Sequence, residues 1–457
     1  MGGAYQSYRT SKMQWLPPVP EHWDEQRAKV FFREVDERSR NGEEELLSVS
    51  HLTGVTPRSQ KNVTMFKAAS YVGSKLCRPG DIVINTLWAW MAALGASRNV
   101  GIVSPAYGVY RPHRADSFNP AYLDYLLRTR AYVAEYIGRS TGIRSSRLRL
   151  YPNQFLDIAL IQPPRPEQDQ IVAYLRAQDA HIARFIKAKR DLIGLLTEQK
   201  LRIIDHAVTR GLDASVALKP SGIEWLGDVP EHWELRRLKF LASNTTNQTT
   251  TKASDEIYLA MEHVQSWTGV ARPLEGEVEF ASTVKRFIAD DVLFGKLRPY
   301  LAKVTRANCA GVCVSEFLVL RSRKELILPA YLEQLLRCKR VIDLINSSTA
   351  GAKMPRADWT FIGNVRLPVP CKDEQKSILS YIELETKDLD EAIARAEEEI
   401  KLIREYRDRQ IADIVTGQVD VRGWVPGPDD VVTEEDLAAL GGDEEIDTDG
   451  EEDDGDN

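Results

Sequence analysis

The sequence predicts a mixed α/β fold built as two tandem copies of one domain, each copy followed by a long helix. The pentapeptide VPEHW occurs at residues 19–23 and returns 210 residues later, at residues 229–233. In both halves, short runs of alternating apolar residues, typical of strands, are interspersed with helical patterns and Gly/Pro turns. Each half then ends in a proline-free stretch whose apolar residues recur every three or four positions, as they do in coiled coils.

The repeat extends well beyond the pentapeptide. DIVINTLWAW from residue 81 aligns with DVLFGKLRPY from residue 291, and GIVSPAYGVYRP from residue 101 aligns with GVCVSEFLVLRS from residue 311. Each member of the second pair predicts one strand. NPAYLDYLLR and LPAYLEQLLR each predict a helix that begins at a proline, and the dipeptide EQ recurs at residues 167–168 and 374–375. A period of about 210 residues indicates one duplication and not a solenoid, whose repeats are about 20 to 50 residues long.

The two helical stretches predict an antiparallel coiled coil, because each supplies the other with an apolar partner in the same chain. This pairing gives a pseudo-twofold internal repeat with one α/β domain at each end of a rod; the alternative is that each helix binds some other protein. The predicted boundaries are a first α/β domain at 1–165, a first helix at 166–209, a linker at 210–220, a second α/β domain at 221–371, a second helix at 372–417 and an acidic, disordered tail at 418–457.

Charge is distributed unevenly along the chain. The net charge is −7 overall, but residues 1–420 carry +7 and residues 421–457 carry −14. A basic body suits a nucleic-acid partner, although a protein with a solubilising tail fits the same numbers. Five cysteines without CxxC spacing favour a reducing cytosol and disfavour a zinc site. The absence of a signal peptide pattern and of a run of about 18 apolar residues predicts a cytoplasmic protein without membrane contact.

Taken together, these features resemble the specificity subunit of Type I restriction-modification systems. The resemblance covers about residues 7–420, and it is carried by SGIEWLGDVPEHWELRRLKFL at 221–241, by DVLFGKLRPYLAKV at 291–304, and by the PPxxEQxxI-type helix starts at 163–171 and 369–378. The first copy departs from this pattern: it has LPP at residues 16–18 where the second has LGD, and NTLWAW at residues 85–90 where the second has GKLRPY.

The resemblance implies two target-recognition domains, each of which reads one half of an asymmetric, bipartite double-stranded DNA target. It also implies that the helices fix the spacing between the half-sites and dock two copies of a DNA adenine methyltransferase subunit. A restriction endonuclease subunit that translocates DNA joins this core. S-adenosylmethionine is then a cofactor of the methyltransferase partner, and ATP and Mg belong to the endonuclease partner, so that no cofactor is bound by this chain.

No catalytic motif is found in the sequence. An amino-methyltransferase needs an Asn/Asp-Pro-Pro-aromatic loop, which the two Pro-Pro pairs lack, and neither GxGxxG, GxxxxGK[ST] nor HExxH occurs. The sequence therefore predicts a non-catalytic DNA-binding subunit. Two alternatives remain open: a self-contained nuclease or methyltransferase, and a decoy or scaffold that sequesters restriction-modification subunits, with its acidic tail as a DNA mimic.

DNA contact is expected from basic side chains, which neutralise phosphates and read base edges. The candidates in the two domains are Arg58, Lys61, Lys67, Lys75 and Arg98, and then Lys252, Lys285, Arg286, Lys296, Arg298 and Arg306. Two glycine-containing loops add Arg139, Arg144, Arg147 and Arg149 around Gly142, and Lys353 and Arg356 around Gly351. The alternatives are that the lysines are merely solvated and that the loops only position the next strand. Trp88 and Trp90 fit either a flipped base or the core.

The VPEHW motif itself predicts a structural role, with its Trp as an apolar anchor and its Pro fixing the entry of the chain into each domain. Its adjacent Glu and His do not predict a shared site, because neighbouring side chains of an extended segment point apart.

Overall fold

The computed structural model describes residues 3–51, 53–60, 70–142, 148–274, 283–349, 354–438 and 440. The chain divides into two compact units. Unit 1 comprises residues 1–191 together with residues 397–457, and unit 2 comprises residues 192–396. Each unit therefore contains one α/β domain and one half of each long helix.

The strands of unit 1 are short. They are β1 (Tyr8–Arg9), β2 (Val19–Pro20), β3 (Asp24–Arg27), β4 (Phe32–Glu34), β5 (Leu47–Ser50), β6 (Gly54–Pro57), β7 (Lys75–Cys77), β8 (Ile82–Ile84), β9 (Leu94–Ala96), β10 (Gly101–Val103), β11 (Gly108–Pro112) and β12 (Ala159–Gln162). The helices that begin in it are α1 (Ala28–Phe31), α2 (Pro120–Leu127), α3 (Arg130–Arg139), α4 (Pro152–Leu156) and the long α5 (Arg165–Arg210).

Unit 2 repeats this order of elements. Its strands are β13 (Leu218–Pro220), β14 (Asp228–Pro230), β15 (Glu234–Arg237), β16 (Ala242–Thr245), β17 (Gln248–Thr249), β18 (Ile257–Leu259), β19 (Val284–Phe287), β20 (Val292–Gly295), β21 (Val304–Arg306), β22 (Gly311–Cys313), β23 (Phe317–Ser322) and β24 (Arg366–Val369). The helices are α6 (Leu238–Leu241), α7 (Pro329–Arg337), α8 (Lys339–Ser347), α9 (Trp359–Ile362) and the long α10 (Lys372–Val415); α11 (Glu434–Ala438) follows in unit 1.

Each unit contains its own four-stranded antiparallel sheet, and the two sheets have the same topology. The strand order is β4-β11-β8-β9 in unit 1 and β16-β23-β20-β21 in unit 2. Unit 2 has a second sheet, β17-β19-β22-β18, in which β18 and β22 run parallel. The stretches GIVSPAYGVYRP and GVCVSEFLVLRS each predicted a single strand, but each forms two: β10 and β11 in unit 1, and β22 and β23 in unit 2. In unit 1 a turn closed by Tyr107 N–H and the Ser104 carbonyl (3.1 Å) breaks the strand, at a point where Pro105 has no N–H to donate.

Apolar residues on the inner faces of these elements form the cores. In unit 1, α2 begins at Pro120, where Asn119 caps it by accepting the Ala121 N–H at 2.9 Å. The helix then buries Tyr122, Leu123, Leu126 and Leu127 against the sheet. Helix α7 also begins at a proline, Pro329, although Leu328 before it supplies no side-chain cap, and it buries Tyr331, Leu332, Leu335 and Leu336. The sequence repeat therefore corresponds to a repeat of core positions.

The long helices pair inside each unit. In unit 1, Arg407 of α10 is ion-paired with Asp179 of α5 at 2.6 Å, and Lys189 is paired with Glu399 at 2.5 Å. Residue numbers rise along one helix as they fall along the other, so the pairing is antiparallel. In unit 2, Ile204 and Val208 of α5 share a core with Ile378 and Ile382 of α10. The predicted fold class, a mixed α/β internal repeat with an antiparallel pair of long helices, is confirmed.

The predicted disorder of the tail is wrong for its first part. Residues 418–438, which we name the strap, pack on α5 within unit 1. Val421 is 2% exposed and belongs to the unit 1 core, and Trp424 packs edge-on against Tyr174 with ring centroids 5.3 Å apart. The strap has its own apolar side chains to bury, and composition averaged over the tail conceals them. Residues 441–457 lie outside the described part of the chain.

Polar contacts also hold the strap. His181 Nε2 lies 2.8 Å from Asp430 Oδ1, and Arg184 donates to the Asp429 carbonyl at 2.9 Å and pairs with Asp436 at 3.4 Å. The strap follows α10 in the chain and contacts the N-terminal residues, since the Asp420 N–H donates to the Gly3 carbonyl at 2.7 Å. In the ranges described, no helix is long and apolar enough to cross a membrane.

Candidate nucleic-acid interface and the joints that support it

The first VPEHW motif is joined to the start of α5 by one carboxylate. Glu167 accepts hydrogen bonds at Oε1 from the Trp23 indole N–H (3.0 Å) and from the Tyr5 hydroxyl (2.6 Å), and its Oε2 lies 2.9 Å from His22 Nε2. Trp23 is 2% exposed. Burial, followed by the bond to Glu167, raises the pKa of Tyr5.

The second motif forms the same joint in unit 2. Glu374 Oε1 accepts the Trp233 indole N–H at 2.9 Å, and its Oε2 lies 2.8 Å from His232 Nε2. The expectation of no shared site concerned the Glu and the His of this motif; it is the His and the Trp that converge, on a glutamate more than 140 positions away. The glutamate of each EQ pair is a structural partner of the motif, and the sequence marked it only by its repetition.

The glutamine of each EQ pair ties the same helix start to the loop before α2 or α7. Gln168 accepts the Asn119 N–H at 2.8 Å and donates to the Pro163 carbonyl at 2.8 Å. Gln375 accepts the Leu328 N–H at 2.8 Å and donates to the Pro370 carbonyl at 3.0 Å. Both amides are fully buried. Glu and Gln together lock the long helix to the domain that precedes it.

A second repeated pair fixes the shared sheet. Arg111 of β11 binds the buried Asp81 with its Nε and Nη2 atoms, at 3.0 and 2.8 Å. Arg321 of β23 binds Asp291 in the same way, at 2.8 and 2.7 Å. These hydrogen bonds raise the pKa of each arginine. Because a bidentate pair sets both distance and orientation, these arginines are structural, although by type they fit phosphate contact.

Two of the predicted DNA contacts lie inside the fold. Lys75 and Lys285 are 8% and 7% exposed. Lys75 Nζ donates to the Tyr107 carbonyl at 2.8 Å, and Lys285 Nζ donates to the Phe317 carbonyl at 2.7 Å. Burial lowers the pKa of Lys285. Both ammonium groups brace equivalent strands, a placement that does not favour contact with a phosphate.

The other candidates fall into three groups. Four are exposed: Arg98, Arg298, Arg306 and Arg356. Four are half-buried: Arg58, Lys252, Arg286 and Lys296. Five, namely Lys61, Lys67, Arg144, Arg147 and Lys353, lie outside the described residues, as does Gly351.

Several of these arginines already have a carboxylate partner. Arg286 pairs with Glu256 at 2.9 Å, and Arg306 pairs with Asp290 at 3.0 Å. Arg356 pairs with Glu316 at 2.9 Å. Near Gly142, Arg139 pairs with Glu135 at 2.6 Å, while Arg149 is half-buried. Of these pairs, Arg306–Asp290 is exposed on both sides, at 42% and 37%. An exposed pair is weak, so a DNA phosphate can replace its carboxylate at small cost.

Two separate predicted clusters of unit 2 come together at one turn. The segment 296–302, which contains the 3-10 turn Pro299–Leu301, lies against residues 354–357 of the second glycine loop. Leu297 and Arg356 form an antiparallel bridge, and Ala357 N–H donates to the Lys296 carbonyl at 2.9 Å. Basic residues from both clusters therefore share one surface, which we name the 298 turn.

The equivalent turn of unit 1 has the same scaffold and a different tip. Leu150 N–H donates to the Thr86 carbonyl at 2.9 Å, the counterpart of the Ala357 bond. Trp88 and Trp90 occupy the tip and are both half-buried, and the Trp90 indole N–H donates to the Leu87 carbonyl at 3.0 Å. These two tryptophans are neither core residues nor fully open stacking platforms.

Comparisons with known proteins point in one direction. Over 225 residues the chain is 23% identical to the Type I restriction enzyme EcoDI specificity subunit of Escherichia coli. In fold it matches a solved chain from a study of complex assembly and conformational transition of the type I R-M system, with a TM-score of 0.53 over 88% of this chain and 99% of that chain, at 16% identity. The chain resembles a type I specificity subunit. This confirms the resemblance on which the sequence prediction rests.

The specificity-subunit resemblance is partial in sequence. The aligned region covers 47% of this chain and 48% of the EcoDI subunit, so the chain spans about half the length of the curated relative that it matches. No family model matches the chain. Among the described residues, no group of three or more His, Cys, Asp or Glu side chains is placed to hold a metal ion.

Proposed function

We propose that the chain is the sequence-specific DNA-binding specificity subunit of a type I restriction-modification complex. In this proposal each α/β domain reads one half of an asymmetric, bipartite DNA target. The observation that carries it is a repeated scaffold with different residues at the tip of the turn. Each unit has its own copy of the same four-stranded sheet and of the Glu and Gln joints, but Trp88 of unit 1 stands where unit 2 has Arg298. Identical tips would read a palindrome, and different tips read two different half-sites.

The helices supply the second part of the proposal. Two readers on one duplex must sit about one helical turn apart, ~34–36 Å, or a multiple of it. The long helices α5 and α10 are joined to their domains by the EQ pairs, whose glutamines are fully buried, and they are suited to set that spacing. We further propose that they dock two copies of a DNA adenine methyltransferase subunit, and that a restriction endonuclease subunit joins this core. Catalysis, with S-adenosylmethionine, ATP and Mg, then belongs to those partners, in the cytoplasm.

The test is the pattern of DNA modification in a host that carries this chain and its methyltransferase partner. We expect modified adenines in a two-part, asymmetric motif with an unread spacer. Replacing residues 32–150 with those of a relative should change one half-site and leave the other intact. A short continuous palindrome, or a change in both half-sites, would contradict the proposal.

A tail truncation separates this function from that of a decoy whose acidic tail mimics DNA. The cut belongs at residue 441, because residues 418–438 pack on unit 1 and Val421 lies in its core. Removing residues 441–457 should leave the modified motif unchanged if the chain reads DNA, whereas a decoy should lose its effect. The longer deletion of 421–457 is the stability control, since it also removes the packed strap.

A further inference from the structure

The strap covers one side of helix α5 in unit 1. Trp424 packs edge-on against Tyr174, and the side-chain amide of Gln170 donates to the Trp424 carbonyl at 2.6 Å. Further along the helix, three basic side chains meet acidic side chains of the strap: His181 lies 2.8 Å from Asp430, Arg184 lies 3.4 Å from Asp436, and Lys187 lies 3.6 Å from Glu435. The contacted residues of α5 are three, four or seven positions apart, so they form one stripe along the helix.

The equivalent stripe of helix α10 in unit 2 is open to solvent. The two EQ pairs are 207 residues apart, and this offset places Tyr381 at the position of Tyr174. Tyr381 is 37% exposed, and Leu384, one turn further along, is 72% exposed. Asp388 and Glu391 continue the stripe and are exposed as well. We name these four residues the 381 stripe.

The two stripes carry opposite charges. Where α5 has His181 and Arg184, α10 has Asp388 and Glu391. The carboxylates of the strap, such as Asp430, complement the basic stripe and are repelled by the acidic one. The strap also belongs to the same chain, so it meets α5 at a high effective concentration that an external segment must overcome. The strap therefore closes the stripe of unit 1 and leaves the 381 stripe open.

We infer that the 381 stripe docks a basic segment of the methyltransferase partner, and that the strap covers the equivalent surface of unit 1, so that the chain holds its two methyltransferase copies unequally. The segment places an apolar side chain, as Trp424 of the strap does, against Tyr381 and Leu384. Its lysines or arginines face Asp388 and Glu391. The acidic residues disfavour both DNA and the strap of a second chain as occupants. This inference rests on the proposed function, in which the helices dock two methyltransferase copies, and it makes the two docking events different.

The test is a titration of the full chain with the methyltransferase partner, read by native mass spectrometry. The complex with one methyltransferase should fill before the complex with two, with dissociation constants about tenfold or more apart. Leu384→Asp should weaken the tighter site by about tenfold or more and bring the two constants together. Its Tm should not change, because the side chain is 72% exposed. Leu218→Asp, which alters a 45% exposed leucine of β13, is the matched control and should leave both constants unchanged.

A charge exchange tests the strap directly. The double change His181→Asp with Arg184→Glu gives α5 the charges of the 381 stripe and repels the strap. Trp424 fluorescence should then report release of the strap, and the weaker methyltransferase site should tighten. A strap that stays in place, or a weaker site that does not tighten, would overturn the inference.

Three further outcomes have a fixed meaning. Equal constants in the wild type, or a tighter site that Leu384→Asp leaves intact, would contradict unequal docking. A dimer of the chain itself that Leu384→Asp dissociates would assign the 381 stripe to a second copy and would also overturn the inference. If the wild-type chain binds no methyltransferase at all, it is the proposed function that fails.

Discussion

Replacing Glu167 with alanine should destabilise unit 1 more than the matched change Glu374→Ala destabilises unit 2. The two glutamates occupy the same position in the repeat and bind the same His-Trp pair. They differ in two respects: Glu167 also accepts the Tyr5 hydroxyl, and its side chain is 6% exposed, against 24% for Glu374. The pair is therefore an internal comparison of three hydrogen bonds with two.

The expected magnitudes follow from the contacts. A hydrogen bond to a charged group contributes about 1.5–3 kcal/mol, and a buried donor left without a partner costs about 1–3 kcal/mol. In Glu374→Ala the buried Trp233 indole loses its acceptor, whereas His232, whose side chain is 49% exposed, can turn to water. We expect a loss of about 2–3 kcal/mol for Glu374→Ala, and of about 3–5 kcal/mol for Glu167→Ala, where the Tyr5 hydroxyl is stranded as well.

The assay must resolve the two units, since a chain with two compact units need not unfold in one step. Native-state hydrogen exchange meets this need because it reports the opening free energy of each segment. In Glu167→Ala, the amides of β3 and β12 should lose more protection than the amides of β15 and β24 lose in Glu374→Ala. Equal losses, a larger loss in Glu374→Ala, or changes confined to the mutated helix turn would refute the reasoning.

Three other perturbations have clear directions. Gly417→Ala should destabilise unit 1 by about 1–3 kcal/mol, since Gly417 has φ 80° and an added Cβ would lie 2.3 Å from Pro20. The control is Gly194→Ala, whose Cβ meets nothing within 4 Å. A thermal melt in which the Tm of Gly417→Ala is no lower than that of Gly194→Ala would contradict this prediction. The backbone N–H of Gly427 and the nearby His181 hold the pKa of Asp430 below its usual value. A carboxylate whose pKa is depressed in the folded state stabilises the fold above its unfolded-state pKa, and this stabilisation is lost as the pH falls. Trp424 fluorescence should therefore report release of the strap only below about pH 4. Iodoacetamide at pH 8 should modify the exposed Cys371 before Cys77 and Cys313, because burial raises the pKa of these two thiols to about 11 and about 12; early labelling of either buried thiol would count against this fold.

The sequence by itself determined the duplication, the helices that begin at Pro120 and Pro329, and the pairing of the long helices. These features are local or periodic: VPEHW and EQ recur in order, and an apolar stripe on a helix requires a partner wherever the chain supplies one. The same patterns carried the specificity-subunit resemblance, which the comparisons confirm. The sequence also named the basic residues of the 298 turn, because charge and small-residue loops are visible without coordinates.

Only the tertiary structure decided what each of these side chains does. Lys75 and Arg98 look alike in sequence, yet one ammonium is bonded to a strand carbonyl inside the fold and the other side chain is exposed. Val421 gives order to a segment whose composition predicted none. Glu167 binds His22 and Trp23, which lie 145 and 144 positions before it in the chain. Burial and the choice of hydrogen-bond partner depend on contacts between distant segments, and no local pattern fixes which segments those will be.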